Sequence, residues 1–515
     1  MCTVVSLVSI VRMKALTFVG IVVALSNAKT PCQPRDFGHG SVVCLCTADY
    51  CDTLEPLGPI PNNKFYHLVS SQDGERFEVS YGEIGNHSLD LPDVVIRINK
   101  TETFQKILGF GGAFTDSTAL NLAVLSKDLQ RQILKAYYGK NGLEYNLGRT
   151  NMGSCDFSSR LYSYDDVEGD VSLDHFALVE EDNLKIRYIK EAQKLNPDIK
   201  LFASPWTAPK WMKTNNQFFG QGSLRTEFYP AWATYFVKFL EEYEKLGVQF
   251  WAVTAQNEPL DGILPNFSFN CMGWTPGQQR DWIKNNLGPT LASSKFNQTK
   301  IIILDDQRPL IVIWARAVLR DPDAAKYISG IGLHWYGDIY PPTILEQAHK
   351  EFPEYFLLGT EACIGSNPLE EAVLLGSWNR AERYASDIIQ DLNHWVTGWT
   401  DWNLVLDLEG GPNWAGNTVD APIIVDNVTD RAYKQPMYYA LGHFSKFIPR
   451  DSVRIGFESE DSKGLHVLAV QRPDNVTVLV ILNQNDVSIS VAIQDSQNKR
   501  IEVSVGQHSL HTIAY

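Results

Sequence analysis

Basic residues are in short supply. The chain carries 45 Lys and Arg against 60 Asp and Glu, a formal charge of −15, so nothing broad and positive is available to neutralise phosphates, and nucleic acid is excluded as a partner. The same deficit opposes long-range attraction to anionic lipid at neutral pH; carboxylate protonation in an acidic compartment weakens that repulsion. Long apolar runs are equally scarce. The run "ALTFVGIVVAL" at 15–25 falls short of the roughly 20 residues that a membrane-spanning helix needs, and no other long one follows. Low-complexity tracts and short repeats are missing, which excludes disordered and solenoid classes. The cysteines lack a histidine pair at finger spacing, which argues against zinc.

What is present bounds the rest. At 515 residues and 44% hydrophobic content, the chain can bury a large core, as one big domain with a smaller companion. Arg12 and Lys14 precede the apolar run and small residues follow at Ser26 and Ala28, the pattern of a secretory signal over 1–28 cleaved after Ala28. The mature chain is expected to be lumenal or secreted. Cysteine usage agrees: of eight, Cys32, Cys44, Cys46 and Cys51 crowd the segment 29–56 like a small disulfide framework whose connectivity spacing cannot fix. Cys155, Cys271 and Cys363 read as free, buried thiols. N-x-S/T sequons begin at Asn86, Asn99, Asn266, Asn297, Asn427 and Asn475, acceptors for glycans behind such a signal.

Between 104 and 445 short apolar runs alternate with helical stretches. The runs are "KILGFGGAFTD", "LEYNLGRTNMG", "IKLFASPWTAP", "FWAVTAQNEP", "KIIILDD", "ISGIGLHWYG", "YFLLGTEACIG" and "HWVTGWTDWN". In the segment 231–247, Trp232, Tyr235, Phe236, Phe239, Leu240 and Tyr243 form a helical stripe that Gly247 can stop. Eight such repeats predict a (β/α)8 TIM barrel, with its chemistry at the carboxyl ends of the strands. Residues 446–515 are short, β-branched runs separated by turns, and 57–103 look similar, which together predict an appended antiparallel β-sandwich.

Polar and aromatic residues gather at the expected strand ends: Arg149 and Asp156 after the second, Trp206 after the third, Asn257 and Glu258 after the fourth, His334, Trp335 and Tyr336 after the sixth, Glu361 after the seventh, and Asp401, Trp402 and Asn403 after the eighth. All are expected to face one mouth. Pro259 has no N–H and biases Glu258 towards extended backbone, so the fourth strand is expected to end with Glu258 at its tip. Two glutamates facing each other across a barrel can cleave a glycosidic bond, one protonating the leaving oxygen and the other attacking the anomeric carbon. Asn257 beside the acid can hold a sugar hydroxyl. Trp206 and Trp402 suit a sugar platform, or core packing, and His334 reads equally as a structural histidine.

The segments "GFGGAFTD", "SPWTAPKWMKTN", "VTAQNEP", "LHWY", "GTEACIGS" and "GWTDWNLVLDLEGGPNW" resemble the lysosomal glucosylceramidase family, within glycoside hydrolase family 30, from the amino-terminal cysteines to the final strands. The resemblance implies Glu258 as acid/base and Glu361 as nucleophile. It also implies glucose contacts by Asp156, Trp206, Asn257, Trp402 and Asn417, with Phe269 and Tyr336 nearby, and disulfides pairing Cys32 with Cys44 and Cys46 with Cys51. The expected reaction is retaining hydrolysis of glucosylceramide, without metal or nucleotide cofactor, on a peripheral membrane surface with a saposin-like activator, in the lysosome or outside the cell. Two departures from the family's vertebrate pattern stand out: Gln256 where a glutamate is usual, and Phe267 where a tyrosine is usual. The rival readings are hydrolysis of another β-linked glycan and an inactive sugar-binding paralogue.

Overall fold

The computed structural model describes residues 29–85, 92–367, 369–495 and 499–515; the expected leader 1–28 and the sequon at Asn86 lie outside them. All eight apolar runs form strands: β1 Gly109–Phe114, β2 Leu147–Met152, β3 Lys200–Pro205, β4 Ala252–Thr254, β5 Lys300–Gln307, β6 Ile328–His334, β7 Phe356–Glu361 and β8 Val396–Asn403. They are parallel and close into a barrel. Helices return on the outside, among them α1 Tyr229–Lys245, α2 Trp378–Asn393 and α3 Pro436–Ser445. The predicted stripe of α1 is buried throughout, each large side chain contributing about 1.5–3 kcal/mol, and Gly247 ends the turn after it with φ +84°. Glycines in "GFGGAF" let strands close on one another, since a Cβ on Gly111 would lie 2.0 Å from Leu147 O.

The second body is one nine-stranded sheet, coiled over its own apolar core. Its order is 500–505, 489–495, 94–106, 453–458, 466–471, 477–483, 509–514, 64–71 and 78–83, so both ends of the chain build it, as expected. The long strand Val94–Lys106 pairs in parallel with 489–495 at one end and, through register shifts, antiparallel with 453–458 towards the other. The central strands are apolar on both faces for a reason: Val467, Ala469, Leu479 and Ile481 face the sheet's own core, while Leu468, Val470, Val478 and Val480 join the barrel core. Asn393 of α2 ties the two by donating to Val467 O at 2.8 Å.

A third sheet was not anticipated. Strands 34–36 and 42–46 join 431–434, 423–426 and 405–407 in a five-stranded sheet. Disulfides Cys32–Cys44 and Cys46–Cys51 flank its first hairpin, in the pairing that the resemblance implied, and Cys155, Cys271 and Cys363 are free and buried. Val43 and Leu45 of this sheet share a core with Trp206, Trp402 and Cys363. The amino-terminal segment therefore backs the wall of the barrel mouth.

Candidate active site

The strand ends converge on a cavity of about 310 Å3 lined by Asp156, Trp206, Glu258, Phe269, Tyr336, Glu361, Trp402 and Asn417, together with Asp261, Phe267 and Gln307. A larger cavity of about 640 Å3 lies beside it and shares Tyr336, Cys363 and Ser366, but reaches neither Glu258 nor Glu361. The smaller one holds the chemistry.

Its base is set by Arg149. This fully buried side chain, within β2, donates to Glu361 Oε2, to Asn257 Oδ1 at 2.8 Å and to Asp305 Oδ2 at 2.9 Å. Its guanidinium lies 5.0 and 5.3 Å from the Trp206 and Trp402 rings, which stack on each other at 5.1 Å. Tyr336 OH donates to Glu361 Oε1 at 2.8 Å. Glu361 is thus held from both oxygens, and breaking the Arg149 pair would leave a buried charge uncompensated.

Glu258 is held differently. His334 Nδ1 and Gln307 Nε2 reach its Oε1 at 2.9 and 2.8 Å, and His334 Nε2 reaches Asp305 Oδ1 at 3.1 Å. Burial alone would lower the His334 pKa, but Glu361, Asp305 and Glu258 raise it to about 10, so the ring is an imidazolium that donates at both nitrogens. Burial raises Glu258, yet the His334 hydrogen bond and charge bring it below the usual glutamate value. Asp156 goes the other way: burial, then the charge of Glu361, push it up to about 7 against the hydrogen bond from Asn417 Nδ2 at 2.8 Å. An oxygen of Glu258 and one of Glu361 lie within 4.8 Å of each other and of a His334 nitrogen. A cation could span three such atoms, but Arg149, Tyr336 and Gln307 already donate to these carboxylates.

Three expectations are corrected by the structure. β4 stops at Thr254, and Glu258 is left-handed, with φ +40°. Proline after it disfavours only the right-handed helical region; the choice between the others is made by tertiary bonds, as Asn257 N–H donates to Pro205 O and Glu258 N–H to Asp305 O, both at 2.9 Å. Leu304 and Asp305 are left-handed as well, at φ +68° and +57°, so backbone strain is concentrated around Glu258. Second, Asp401 and Asn403 do not line the cavity. Successive side chains alternate along a strand; with Trp402 inward, Asp401 turns out to accept from Tyr384 of α2 at 2.7 Å and Asn403 accepts from Thr115 at 2.6 Å. Third, Trp335 lines the neighbouring cavity and donates to Cys363 O at 3.0 Å.

Asn257 is buried behind the wall, outside the cavity lining, with its Oδ1 taken by Arg149. Gln256 donates to Pro205 O, Trp206 O and Asn257 O at 3.1, 2.8 and 2.9 Å; three carbonyls need a donor, which an amide supplies and an ionised glutamate would not. Phe267 and Phe269 pack at 4.4 Å on the cavity side of their loop, with Asn266 and Ser268 exposed. Asn297, Asn427 and Asn475 are exposed too, and Asn99 is half-buried. Asp305, Gln307 and Asp261 escaped sequence reading. The signal was available for the first two: "LDDQ" ends β5 with carboxylates and an amide, as the neighbouring strands end.

The buried acids dictate how stability varies with pH. Burial raises Asp156 and Asp306 to about 7 and Asp165 to about 6, and raises Asp391 and Asp401 well above the ordinary value. An unfolded aspartate loses its proton near 4, so above that pH the folded state holds more protons, and raising pH favours unfolding. His334, raised in the fold, acts in the same sense above about 6.5. His67 and His443, lowered by burial to about 4 and about 3, oppose it only as pH falls below about 6.5. The melting temperature is therefore expected to fall as pH rises from 6 to 8, by several degrees at pH 8. A flat or rising melting profile between pH 6 and 8 in calorimetry would show these carboxyls to be ionised in the fold.

Known proteins are similar over most of the chain. The glycosyl hydrolase family 30 TIM-barrel domain matches residues 107–448, and the family's β-sandwich domain matches 451–513. The lysosomal acid glucosylceramidase of Mus musculus is 47% identical over 490 residues, which cover 94% of this chain and 95% of that protein. The endo-1,6-beta-D-glucanase neg1 of Aspergillus fumigatus is 28% identical over 76% of this chain and 82% of its own. Among solved structures, SrfJ from Salmonella typhimurium superposes with a TM-score of 0.81 at 27% identity, covering 88% of this chain and 99% of that one. Barrel, sandwich, paired glutamates and these matches agree: the chain belongs to glycosyl hydrolase family 30 and is a glycoside hydrolase.

Proposed function

We propose that the protein hydrolyses glucosylceramide to glucose and ceramide with retention of anomeric configuration, through a covalent glucosyl-enzyme on Glu361. The observation that carries the mechanism is the separation of the two carboxylates, whose nearest oxygens are within 4.8 Å. Retaining enzymes hold their carboxyl groups about 5–5.5 Å apart, and inverting ones about 6.5–9.5 Å, to admit a water. Glu361, gripped by Arg149 and Tyr336, is the nucleophile; Glu258 is the acid and then the base. A cavity at the small end of the usual range for ligand sites, about 300–1,000 Å3, suits one terminal sugar, with Trp206 and Trp402 as its platform.

A lipid aglycone is supported by the rim. Leu264, Ile339, Tyr340 and Leu369 are all more than half exposed and stand on loops that leave β4, β6 and β7 at the mouth, where apolar exposure marks contact with lipid or protein. No helix among the described residues is long and apolar enough to cross a membrane. We place the enzyme in the lysosomal lumen, peripherally on membrane, with a saposin-like activator presenting the lipid; the similarity to a lysosomal acid glucosylceramidase supports that compartment.

A 2-deoxy-2-fluoro-β-glucoside with a good leaving group tests the assignment. The fluorine destabilises both oxocarbenium-like transition states, the leaving group restores only the first, and the adduct accumulates. Peptide mass mapping is expected to find one glycosyl label, on Glu361. A label on another carboxylate, or inverted product in NMR, would overturn the mechanism. Faster turnover of β-1,6-glucan than of glucosylceramide would favour the rival substrate.

A further inference from the structure

A third carboxyl stands beside the acid. Asp261 follows Glu258 by one turn of chain, its N–H donating to Glu258 O at 3.0 Å, and both side chains line the same cavity. The left-handed backbone at Glu258 and Pro259 after it produce this turn. His334 and Gln307 both donate to Oε1 of Glu258, so Oε2 is the oxygen that neither of them takes, and the Asp261 carboxyl is close enough to hydrogen-bond with Glu258. A hydrogen bond between two carboxyls requires that one of them carry a proton.

We propose that Asp261 is a positioning residue for the glycosylation step: it shares one proton with Glu258, so that the pair, not Glu258 alone, is the acid that protonates the leaving oxygen. The inference rests on the reading of Glu258 as the acid.

The surroundings explain why a lone glutamate would serve poorly. Glu258 faces the His334 imidazolium, and Arg149 lies behind it; by themselves these favour its ionised form. Asp261 faces Glu258, Asp306 at the end of β5 and the Cys271 thiol, and burial followed by the charge of Glu258 pushes it up to about 12. The pair titrates as a unit and retains one proton over the range in which Glu258 beside an imidazolium would have lost it. Charge is conserved through the cycle. As the glycosidic bond breaks, the proton passes to the leaving oxygen and the pair goes from one negative charge to two, while Glu361 loses its charge in the ester bond to the anomeric carbon. In the second step water adds to that carbon, returns a proton to the pair and releases Glu361 as carboxylate. Water is the sole co-reactant.

The test is the pH dependence of kcat/KM on an alkyl β-glucoside, whose leaving group needs the proton, for wild type, Asp261→Asn, Asp261→Ala and Asp261→Glu. Labelling with the fluoro-glucoside counts competent sites, so misfolded protein does not enter the rate. Both Asn and Ala variants are expected to move the alkaline limb down by a pH unit or more, a tenfold loss or greater at pH 7, with less than threefold loss on an aryl glucoside of acidic leaving group. Asp261→Glu is expected to keep the wild-type limb. An unmoved limb in Asn and Ala variants overturns the proposal. Glu258→Gln separates this from failure of the underlying reading: if it slows alkyl and aryl substrates equally, Glu258 is not the acid; if it selectively slows the alkyl substrate while the Asp261 limb stays put, only the shared proton falls.

Discussion

Replacing Glu361 by glycine is expected to lower turnover of an aryl β-glucoside by on the order of 10⁴-fold or more, because the proposed covalent intermediate forms on its carboxylate. Azide is expected to restore part of the rate by entering the space vacated beside Arg149 and Tyr336. It would attack the anomeric carbon from the face that Glu361 uses, so the product would be α-glucosyl azide, a single inversion. β-Glucosyl azide from this variant, or residual hydrolysis within about tenfold of wild type, would transfer the nucleophile's role elsewhere. The neighbours set a secondary expectation: Arg149, joined to Glu361, Asn257 and Asp305 at once, remains to bind the small anion.

Glu258→Ala gives the second large effect, and its size depends on the leaving group. With an alkyl glucoside or glucosylceramide, loss of the proton donor is expected to cost about 10²–10⁴-fold. With a dinitrophenyl glucoside the first step needs no proton; the glucosyl-enzyme then accumulates, since its hydrolysis lacks a base, and a burst of phenolate precedes slow turnover. Azide, which needs no base, is expected to give β-glucosyl azide, the opposite anomer from the Glu361 variant. Equal losses on both substrates and no burst would remove Glu258 from the acid/base role. The left-handed backbone at this residue does not depend on its side chain, so the alanine variant should keep the fold.

Much of this site could be read from sequence because strand endings are local chemistry. Glu258 before proline and Glu361 after "FLLGT" declare themselves without knowledge of the partner strand, and eight such endings imply a common mouth. Phase is less local. Asp401, Trp402 and Asn403 are equally polar-rich neighbours of a strand end, and which of them points inward depends on how β8 is rotated against β1 and β7. The network under the pocket is less local still: Arg149, Asp305 and His334 come from three strands, and their partnership exists only once the barrel has closed. Asp261 was passed over because a carboxylate in a loop is ordinary; its meaning lies in the turn that brings it back to Glu258. The five-stranded sheet was missed because its members, such as the three exposed residues Pro34–Asp36, are too short to carry a period, and their partners arrive late in the chain.

That late pairing gives the molecule an order of assembly. Cys32–Cys44 and Cys46–Cys51 close loops of 12 and 5 residues in sequence separation, so this first hairpin can form as soon as it is made. Its partner strand, in which Ala432 pairs with Cys46 and Tyr433 with Leu45, is made only after nearly the whole barrel, a delay of tens of seconds at about 5–20 residues per second. During that interval Leu45 and Val43, which end as backing for the tryptophan wall, have no cover, and the hairpin presents an unpaired strand edge to whatever else is nearby. The sugar pocket is thus completed by the oldest and youngest parts of the nascent chain meeting. A protein cut short between residues 362 and 430 would carry both Glu258 and Glu361 and still lack the strand that finishes their enclosure, which makes it a substrate for chaperones before it can be an enzyme.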